Sequence, residues 1–374
     1  MRIGFDAKRL FNNFTGLGNH SRTTIDILTE YYPQNKYLLY TPKIRRNDVT
    51  VQYIDKDRCR TILPHGILRG SAWRTLGLAA AARKDSVDIF HGLSNELPAG
   101  LDIPSVVTIH DVAFRTFPDM YHATDRFTYN LKWRHACRKA DRIIAISEST
   151  KKDIIRFYDV DPGRIDVVYQ PVNGLYYTDN KGVCPASLTP YVDGKPYILY
   201  VGSINSRKNL LGIVKAFDLL PKDLQIPLVV VGDGREYKQK VIEYIAQHKL
   251  QDMVIFTPQK TGTEGLRYLY LNARMLVYPS FYEGFGLPVV EALLSRCPVI
   301  TSNVSSLPEA AGPYSLTVHP SDISDLARKM EAVLTDDDLR NSMTEKGYRY
   351  AIEAFSPKVL AEQLMNVYSS AINN

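Results

Sequence analysis

Short apolar runs alternate with segments of helical periodicity along most of the chain. The opening run RIGFD precedes a polar loop, NNFTGLGN, and a helical pattern that carries Ile25, Ile27 and Leu28. Apolar residues three and four apart indicate one face of a helix, whereas short unbroken apolar runs indicate buried strands. In the first half, strands are predicted at YLLYT, VTVQYI, VDIFHG, SVVTIHD, RIIAIS and IDVVYQP, and helices at GSAWRTLGLAAAARK and DRFTYNLKWRHACRKA.

The alternation stops at residues 173–195, which have no apolar period and contain three glycines and two prolines. Such a stretch is typical of a linker or hinge. After it, strands are predicted at YILYVG, PLVVVG, MVIFT, MLVYPS and PVIT. Helices are predicted at residues 210–220, 236–250 and 264–274, and three more close the chain at 322–335, 337–354 and 357–370.

This order of elements predicts an α/β protein, because strands that alternate with helices form parallel sheets covered on both faces. The 374 residues are enough for two domains. We therefore expect two Rossmann-like doubly wound domains. The predicted divisions are an N-terminal domain at 1–172, a linker at 173–195, a C-terminal domain at 196–355 and a C-terminal helix at 356–374.

Composition places the chain among ordinary soluble globular proteins, with 45% hydrophobic and 23% charged residues. No run of about 18 apolar residues predicts a membrane span, and the N-terminus has no apolar signal-peptide core. The four cysteines are scattered without metal-ligand spacing, so we expect reduced thiols in a cytoplasmic protein.

The net charge of +6 is uneven along the chain. Residues 1–172 contain 26 Lys and Arg against 19 Asp and Glu, or +7, and the remainder contains 20 against 21, or −1. Several of the basic residues belong to the helical pattern at 125–140. A solvated helix face explains them most simply. The alternative is attraction to an anionic membrane surface or a phosphorylated acceptor.

The stretch PSFYEGFGLPVVEALL carries the densest set of candidate functional residues. It reads as a strand, a glycine turn at Gly284 and Gly286, and a helix that begins near Pro288. The amides at such a helix start favour an anion, and Glu283 and Glu291 can accept hydrogen bonds from hydroxyls. A nucleotide sugar has an anion between two hydroxyl-bearing sugars, so it fits this pattern. Ordinary surface glutamates at a helix start remain the alternative.

The string EGFGLPVVEAL resembles the Glu-x7-Glu signature of retaining glycosyltransferases of the GT-B fold, in particular family 4. That resemblance implies two domains facing a cleft, with the final helix crossing back to the N-terminal domain. It also implies that the motif residues contact the donor. They are Glu283, Gly284, Phe285, Gly286, Leu287 and Glu291.

A second resemblance to this family lies in VGSINSRKN, which follows a predicted strand and contains Ser203, Arg207 and Lys208. Adjacent basic residues are usually surface charge, but in this family an Arg-Lys pair binds the diphosphate. Positive charge there would stabilise the diphosphate as it leaves. The resemblance thus implies donor binding by Ser203 and catalytic roles for Arg207, Lys208 and Glu283.

In the first half, the resemblance implies that His110 is a further catalytic residue, which lies against the donor sugar. Asp111 either orients His110 or caps the next segment. Gly16 and Gly18 correspond to a glycine-rich loop that faces the phosphate and the acceptor. Asn19 and His20 depart from the basic-aromatic pair usual at this place, so the sequence leaves the acceptor contacts open.

Two further stretches match the family. PVITSNVSSLPEAAG corresponds to a loop that borders the nucleotide, although Ser305 or Ser306 could simply cap a helix there. Residues 256–259 correspond to the place where the base is held, largely by backbone groups, so the side chains do not reveal the base.

No metal or other cofactor is expected, because GT-B enzymes usually replace the divalent ion with a helix start and basic side chains. The chain contains two Asp-x-Asp triplets, at 55–57 and 159–161. Neither follows a long buried strand of the second half, so both are interpreted as solvated turns.

The opening RIGFDAKRL and the segments DIFHG, TIHD and AISEST also resemble mannosyltransferases that build O-antigen and other surface polysaccharides. The implied reaction transfers a hexose, most simply mannose from GDP-mannose, to a glycan or a polyprenyl-diphosphate-linked acceptor. The enzyme would be cytoplasmic, with peripheral contact at the inner membrane face as an option and no nucleic acid as partner.

Several alternatives remain open at this stage. They are a glycosyltransferase that uses a UDP-linked glucose, galactose or N-acetylglucosamine, a nucleotide-sugar epimerase or glycogen-type synthase, and a non-catalytic binding module. A nicotinamide dehydrogenase is disfavoured, because no complete Gly-x-Gly-x-x-Gly follows a strand with an acid about 20 residues on.

Overall fold

The computed structural model describes residues 1–54, 59–65, 69–178, 182–192, 194–257 and 261–373. The chain divides into two compact units. Unit 1 comprises Met1–Asn173 and Phe355–Asn374, and unit 2 comprises Gly174–Ala354. The segment 173–195, expected as a linker, therefore lies almost wholly within unit 2.

Unit 1 contains a seven-stranded parallel sheet in the order β3-β2-β1-β4-β5-β6-β7. The order reverses between β1 and β4, as in a doubly wound fold. The strands are β1 Arg2–Asp6, β2 Lys36–Tyr40, β3 Cys59–Ile62, β4 Ile89–Gly92, β5 Ser105–Ile109, β6 Arg142–Ala145 and β7 Ile165–Val167.

Successive residues of a strand point to opposite sides of the sheet. In this sheet, both sides are buried. Phe5, Leu39 and Ile89 contribute to one apolar cluster, whereas Tyr40 and Phe90 contribute to another. The helices that precede and connect the strands are α1 Lys8–Asn12, α2 Gly16–Tyr31, α3 Gly70–Ala72, α4 Leu78–Lys84, α5 Ala113–Thr116, α6 Ala123–Lys139 and α7 Glu148–Tyr158, with a π-helical stretch at Trp73–Gly77 between α3 and α4.

Unit 2 repeats the topology with a six-stranded parallel sheet in the order β10-β9-β8-β11-β12-β13. Its strands are β8 Ile198–Val201, β9 Leu228–Val231, β10 Val254–Phe256, β11 Met275–Tyr278, β12 Val299–Ser302 and β13 Leu316–Val318. Its helices are α8 Thr189–Val192, α9 Leu210–Asp218, α10 Glu236–Gln247, α11 Gly262–Asn272, α12 Leu287–Leu294, α13 Leu307–Ala311, α14 Ile323–Thr335 and α15 Asp337–Ala354. The predicted fold class, two doubly wound α/β domains, is confirmed.

The last helix, α16 at Pro357–Ile372, belongs to unit 1. Leu360, Leu364 and Tyr368 on this helix join the apolar cluster that contains Phe5. The Tyr368 hydroxyl lies 2.8 Å from Nδ1 of the buried His91. The C-terminal helix therefore completes one face of the N-terminal sheet.

Two local predictions were wrong. VTVQYI is not a strand, since Val51–Tyr53 form a 3-10 turn. The predicted loop NNFTGLGN is largely helical, because α1 reaches Asn12 and α2 begins at Gly16. The predicted glycine turn is present before α12; Gly286 has a φ of 115°, whereas the φ of Gly284 is not positive.

The four cysteines Cys59, Cys137, Cys184 and Cys297 are free thiols, as expected. Within the described ranges, no helix is long and apolar enough to cross a membrane.

Candidate active site

The predicted donor residues of unit 2 lie at the carboxyl ends of β8 and β11, which are neighbours at the point where the strand order reverses. Ligands of doubly wound sheets bind at such points. Ser203, Arg207 and Lys208 follow β8, with Ser206–Lys208 forming a 3-10 turn. Glu283 follows β11. Pairing of the two strands therefore brings residues more than 70 positions apart in sequence to one edge.

Glu283 lies between the two basic side chains. Lys208 Nζ is 2.8 Å from Glu283 Oε1, and Arg207 Nη1 is 3.0 Å from Glu283 Oε2. The hydroxyl of Tyr278 donates to Oε1 at 3.0 Å. These contacts occupy three of the roughly four acceptor positions of a carboxylate, which leaves one on Oε2 for a ligand hydroxyl.

This cluster keeps Glu283 ionised. Burial alone would raise the pKa of the carboxyl, but the charges of Lys208 and Arg207 outweigh it and lower the pKa to about 2. The cluster thus holds two cations and one anion at neutral pH. Its net positive charge suits a diphosphate.

The turn after Glu283 is held by serine side chains from the loop after β12. The single hydrogen of the Ser306 hydroxyl is shared between the carbonyl oxygens of Glu283 and Phe285, at 2.8 and 2.9 Å from Oγ, and Ser305 Oγ accepts from the Glu283 amide at 3.0 Å. Ser306 stands at the N-cap of α13 without a side-chain capping bond. Its hydroxyl therefore fixes the motif turn, a role that the sequence did not reveal.

Gly286 ends that turn and starts α12, which begins at Leu287 with Pro288 in its first turn. Its φ of 115° is strained for a residue with a Cβ, and a Cβ would lie 2.8 Å from Leu307 Cδ2. Phe285, the residue before it, is buried. Glycine at 286 allows the helix start to follow Glu283 directly.

Glu291 lies on α12 in an environment opposite to that of Glu283. The Tyr270 hydroxyl donates to Glu291 Oε2 at 3.1 Å. Burial raises the pKa of Glu291 to about 7, although the bond from Tyr270 acts to lower it. Burial raises the pKa of Tyr176, and the Glu291 carboxylate raises it further, so the two side chains are close. Both phenols stay protonated and can serve as donors.

In unit 1, His110 follows β5 at the carboxyl edge of the sheet. Its Nε2 lies 2.9 Å from the Leu93 carbonyl, and its Nδ1 lies 2.8 Å from Gln170 Nε2. The carbonyl can only accept and the amide nitrogen can only donate, so one neutral tautomer satisfies both bonds. Burial lowers the pKa of His110 to about 4. A hydrogen bond between a ring nitrogen and a sugar would require His110 to exchange one of these partners.

His20 lies against His110, with the ring centroids 4.5 Å apart and the rings nearly perpendicular. It is 5% exposed, and neither ring nitrogen has a hydrogen-bond partner in the described part of the chain. Burial lowers the pKa of His20 well below its usual value. The residue that departs from the family pattern is therefore a neutral partner of His110.

Gly16 and Gly18 belong to the first turn of α2. A Cβ on Gly18 would lie 1.8 Å from the Asn13 carbonyl oxygen, so glycine permits a close backbone approach there. Gly16 faces open space, with no atom within 4 Å of a built Cβ among those described.

Asp111 lies just before α5. Its Oδ1 accepts from the Ala113 amide at 3.0 Å, so Asp111 caps the start of that helix, one of the two roles predicted for it.

A buried ion-pair network lies at the carboxyl edge of the unit 1 sheet and was not predicted from the sequence. Arg74 is 2.6 Å from Asp6, the last residue of β1, and 2.5 Å from Glu96. Residues so distant in sequence give no local signal, because their pairing depends on the fold. The network fixes the carboxyl end of β1, and α1 begins two residues further on, at Lys8.

Comparison with known proteins identifies the family. A model described as "Glycosyl transferases group 1" matches residues 189–350, and one described as "Glycosyltransferase Family 4" matches residues 24–173. The O-antigen chain mannosyltransferase B of Escherichia coli is 34% identical over 294 residues, which cover 77% of this chain and 76% of that protein. The chain belongs to glycosyltransferase family 4.

Solved structures agree with this assignment at the level of the fold. Sucrose-phosphate synthase from Thermosynechococcus elongatus matches this glycosyltransferase with a TM-score of 0.76 and 20% identity, covering 99% of this chain and 98% of that one. The Anabaena protein HepE, solved with UDP and glucose, matches with a TM-score of 0.74 and 16% identity, covering 99% and 100%. The glycosyltransferase therefore has the GT-B fold.

Two predictions about loops involve residues that the structure does not describe. The triplet Asp55-Lys56-Asp57 and residues 258–259 of the base-binding stretch lie outside the described residues. In the second triplet, Asp161 Oδ1 accepts from the Gly163 amide at 2.9 Å and caps a 3-10 turn. Among the residues that the structure describes, no group of three or more His, Cys, Asp or Glu could hold a metal ion.

Proposed function

We propose that this glycosyltransferase transfers a hexose, with mannose from GDP-mannose as the first candidate, to a glycan or lipid-linked oligosaccharide in O-antigen or related polysaccharide synthesis. The observation that carries the proposal is the Arg207, Lys208 and Glu283 cluster beside the start of α12. The mannose donor is supported by the 34% identity to an enzyme named as an O-antigen chain mannosyltransferase.

The diphosphate would bind to Arg207, Lys208 and the amides at the start of α12. Negative charge grows on the diphosphate as the glycosidic bond breaks, so cations placed there lower the barrier. Ser203 lies at the same edge, where its Oγ accepts from Asn205 Nδ2 at 3.1 Å, and Asn205 in turn caps the turn that carries Lys208. We assign Ser203 to the donor site on this basis.

Glu283 would accept a sugar hydroxyl at its remaining position, and Glu291 would accept from the ribose hydroxyls. Both oxygens of Glu283 are already engaged, which argues against its acting as a covalent nucleophile. The acceptor hydroxyl would instead approach on the face that the diphosphate leaves, and give its proton to the departing phosphate. Transfer would then retain the anomeric configuration.

In unit 1, we assign His110 to the donor sugar and Gly16 and Gly18 to the phosphate and acceptor side. The acceptor would be a glycan, either free or linked to polyprenyl diphosphate. The enzyme would act in the cytoplasm, with peripheral contact at the inner membrane face. No metal would be needed, because Arg207 and Lys208 supply the positive charge.

The test is a binding panel of GDP-mannose, UDP-glucose, UDP-galactose, UDP-N-acetylglucosamine, GDP and UDP, in the presence of a chelator. Ligands that bind the folded state raise its apparent melting temperature, and calorimetry then gives the affinity. A selective response to GDP-mannose is expected. A response to uridine nucleotides alone would refute the mannose donor, and no response to any of them would refute the donor site.

Turnover completes the test. Radiolabelled donor and a membrane lipid extract should yield a labelled, lipid-soluble product, whose linkage configuration is read by NMR. Inversion at the anomeric carbon would contradict the proposed mechanism. Binding without turnover on any acceptor would favour a binding module instead.

A further inference from the structure

A cavity of about 430 Å³ in unit 1 collects positive charge on elements that carry none of the predicted site residues. It lies along α6 and α7. Arginines dominate its polar lining, and Asp159 is the one carboxylate among its described lining residues. The arginines are Arg115, Arg134, Arg138 and Arg164, and we call this cavity the arginine pocket.

Most of the positive charge in the arginine pocket is not paired with a carboxylate of the protein's described residues. Within the described residues, Arg115, Arg134 and Arg138 form no ion pair. Arg164 donates to the carbonyl oxygens of Cys137 and Ala140, which carry no formal charge. Guanidinium groups that share a cavity repel one another, so an anion bound among them would be stabilised by all of them.

Other side chains prepare the arginine pocket for a ligand. The Arg115 guanidinium lies 5.2 Å from the centroid of the Phe157 ring, a cation-π contact that restricts its orientation. The Tyr158 hydroxyl is buried beside the cavity and has no hydrogen-bond partner in the described ranges. Tyr158 as a whole is 9% exposed. A buried phenol without a partner is costly unless a ligand oxygen accepts from it.

An adjoining cavity of about 300 Å³ extends this site toward the start of α6. It shares Arg115, Asn130 and Phe157 with the arginine pocket and adds Arg126 and Phe127. Phe127 is 69% exposed, and Leu131, one helical turn further along α6, is 51% exposed. Exposed apolar side chains beside a cationic cavity suit a phosphate that is carried on an apolar chain.

We propose that the arginine pocket is a second anion site, which binds the phosphate or diphosphate group of a ligand. Guanidinium groups match phosphate oxygens through paired N–H donors, whichever molecule carries the phosphate. The source is either a lipid, through the diphosphate of a lipid-linked acceptor or an anionic headgroup, or a water-soluble phosphate. The acceptor option rests on the proposed function, whereas anion binding does not.

The experiment compares two double variants of the full-length protein. Arg134→Gln with Arg138→Gln removes two charges from the arginine pocket. Lys84→Gln with Lys152→Gln removes two exposed charges from the same unit outside it. Each protein is titrated with inorganic pyrophosphate by calorimetry, and with GDP-mannose and the other donors as a check on unit 2. All four substituted residues are exposed, and melting curves establish that both variants fold.

The control should bind pyrophosphate at two sites, the arginine pocket and the diphosphate site of unit 2. The pocket variant should weaken only the first, by at least about tenfold, because two charge-assisted contacts are lost. Donor affinity should be the same in both. Superimposable pyrophosphate titrations of the two variants would overturn the proposal. Failure of the proposed function would instead appear as absent donor binding in the wild type, with the pyrophosphate difference intact.

Vesicle flotation assigns the source, with phosphatidylcholine vesicles compared with vesicles that also contain phosphatidylglycerol. Binding to the anionic vesicles that falls in the pocket variant, and also in Phe127→Ser, supports a lipid-borne phosphate. Pyrophosphate binding that depends on the pocket, without pocket-dependent vesicle binding, supports a water-soluble ligand. If the pocket substitutions weaken neither vesicle binding nor pyrophosphate binding, the proposed site is wrong.

Discussion

Ionisation of Glu291 should make donor affinity depend on pH around neutrality. In the proposed site this carboxylate accepts hydrogen bonds from the ribose hydroxyls, and a protonated carboxyl would lose acceptor strength. Its pKa is raised to about 7, first by burial. The ionised fraction is then about one-eleventh at pH 6 and ten-elevenths at pH 8, so affinity should be about tenfold weaker at pH 6.

Three other side chains of the unit 2 site, Tyr176, Tyr270 and Glu283, do not titrate in this pH range. Tyr270 and Tyr176 have raised pKa values and remain protonated. The pKa of Glu283 is lowered to about 2, so this carboxylate does not titrate near neutrality. The ligand should be an intact nucleotide sugar, because the terminal phosphate of a free nucleotide itself titrates near pH 6.

Calorimetric titrations at pH 6, 7 and 8 measure the effect. Tyr270→Phe removes the bond that lowers the pKa of Glu291, so its affinity midpoint should move to higher pH while its affinity at alkaline pH changes little. Tyr268→Phe, on the same helix, is the matched control and should keep the wild-type midpoint. Wild-type affinity that stays constant within about twofold across this range would refute the reasoning, given the pKa that the structure implies.

Three further predictions concern the same unit. Lys208→Ala should lower kcat by at least about 100-fold, since charge on the leaving diphosphate is stabilised chiefly in the transition state, and wild-type turnover in this variant would contradict the diphosphate site. Gly286→Ala should destabilise the fold by about 1–3 kcal/mol, because φ is 115° and Leu307 is 2.8 Å from the new methyl; chemical denaturation measures this, with Gly16→Ala as control. Glu291→Gln should raise the melting temperature at pH 8 more than at pH 5: a raised folded-state pKa means that stability falls as pH rises from about 4.5 to about 7, by up to about 3 kcal/mol, and equal shifts at both pH values would contradict the buried charge.

The strands that the sequence predicted correctly are mostly central ones, and the misses lie at the sheet edges. β3 and β13 are edge strands, and neither was predicted. An edge strand needs fewer apolar residues, so the pattern that marks it is weak. The wrong strand at VTVQYI lies just before β3. There Asn47 Oδ1 accepts from the amides of Val49 and Thr50, so side-chain hydrogen bonds favour a turn over an extended segment.

In the candidate site, the motif predicted the charged residues but not the groups that hold them. Arg207, Lys208 and Glu283 could be named from their spacing and resemblance, and the structure brings all three into contact. Ser306 and Tyr270 could not, because each reaches its partner only through neighbouring strands or helices. A serine or a tyrosine also has many ordinary structural uses, so its residue type alone signals nothing.

The charge of Glu283 indicates how the proposed site can bind a donor and still release its product. With Glu283 ionised, the cluster with Arg207 and Lys208 carries one net positive charge rather than two. A site of higher charge would bind the departing nucleotide more tightly and slow its release. In the proposed site, Glu283 would therefore do more than contact a sugar, since it would also moderate the charge that the diphosphate meets. Replacing it with glutamine would raise that charge and should strengthen nucleotide binding while turnover falls.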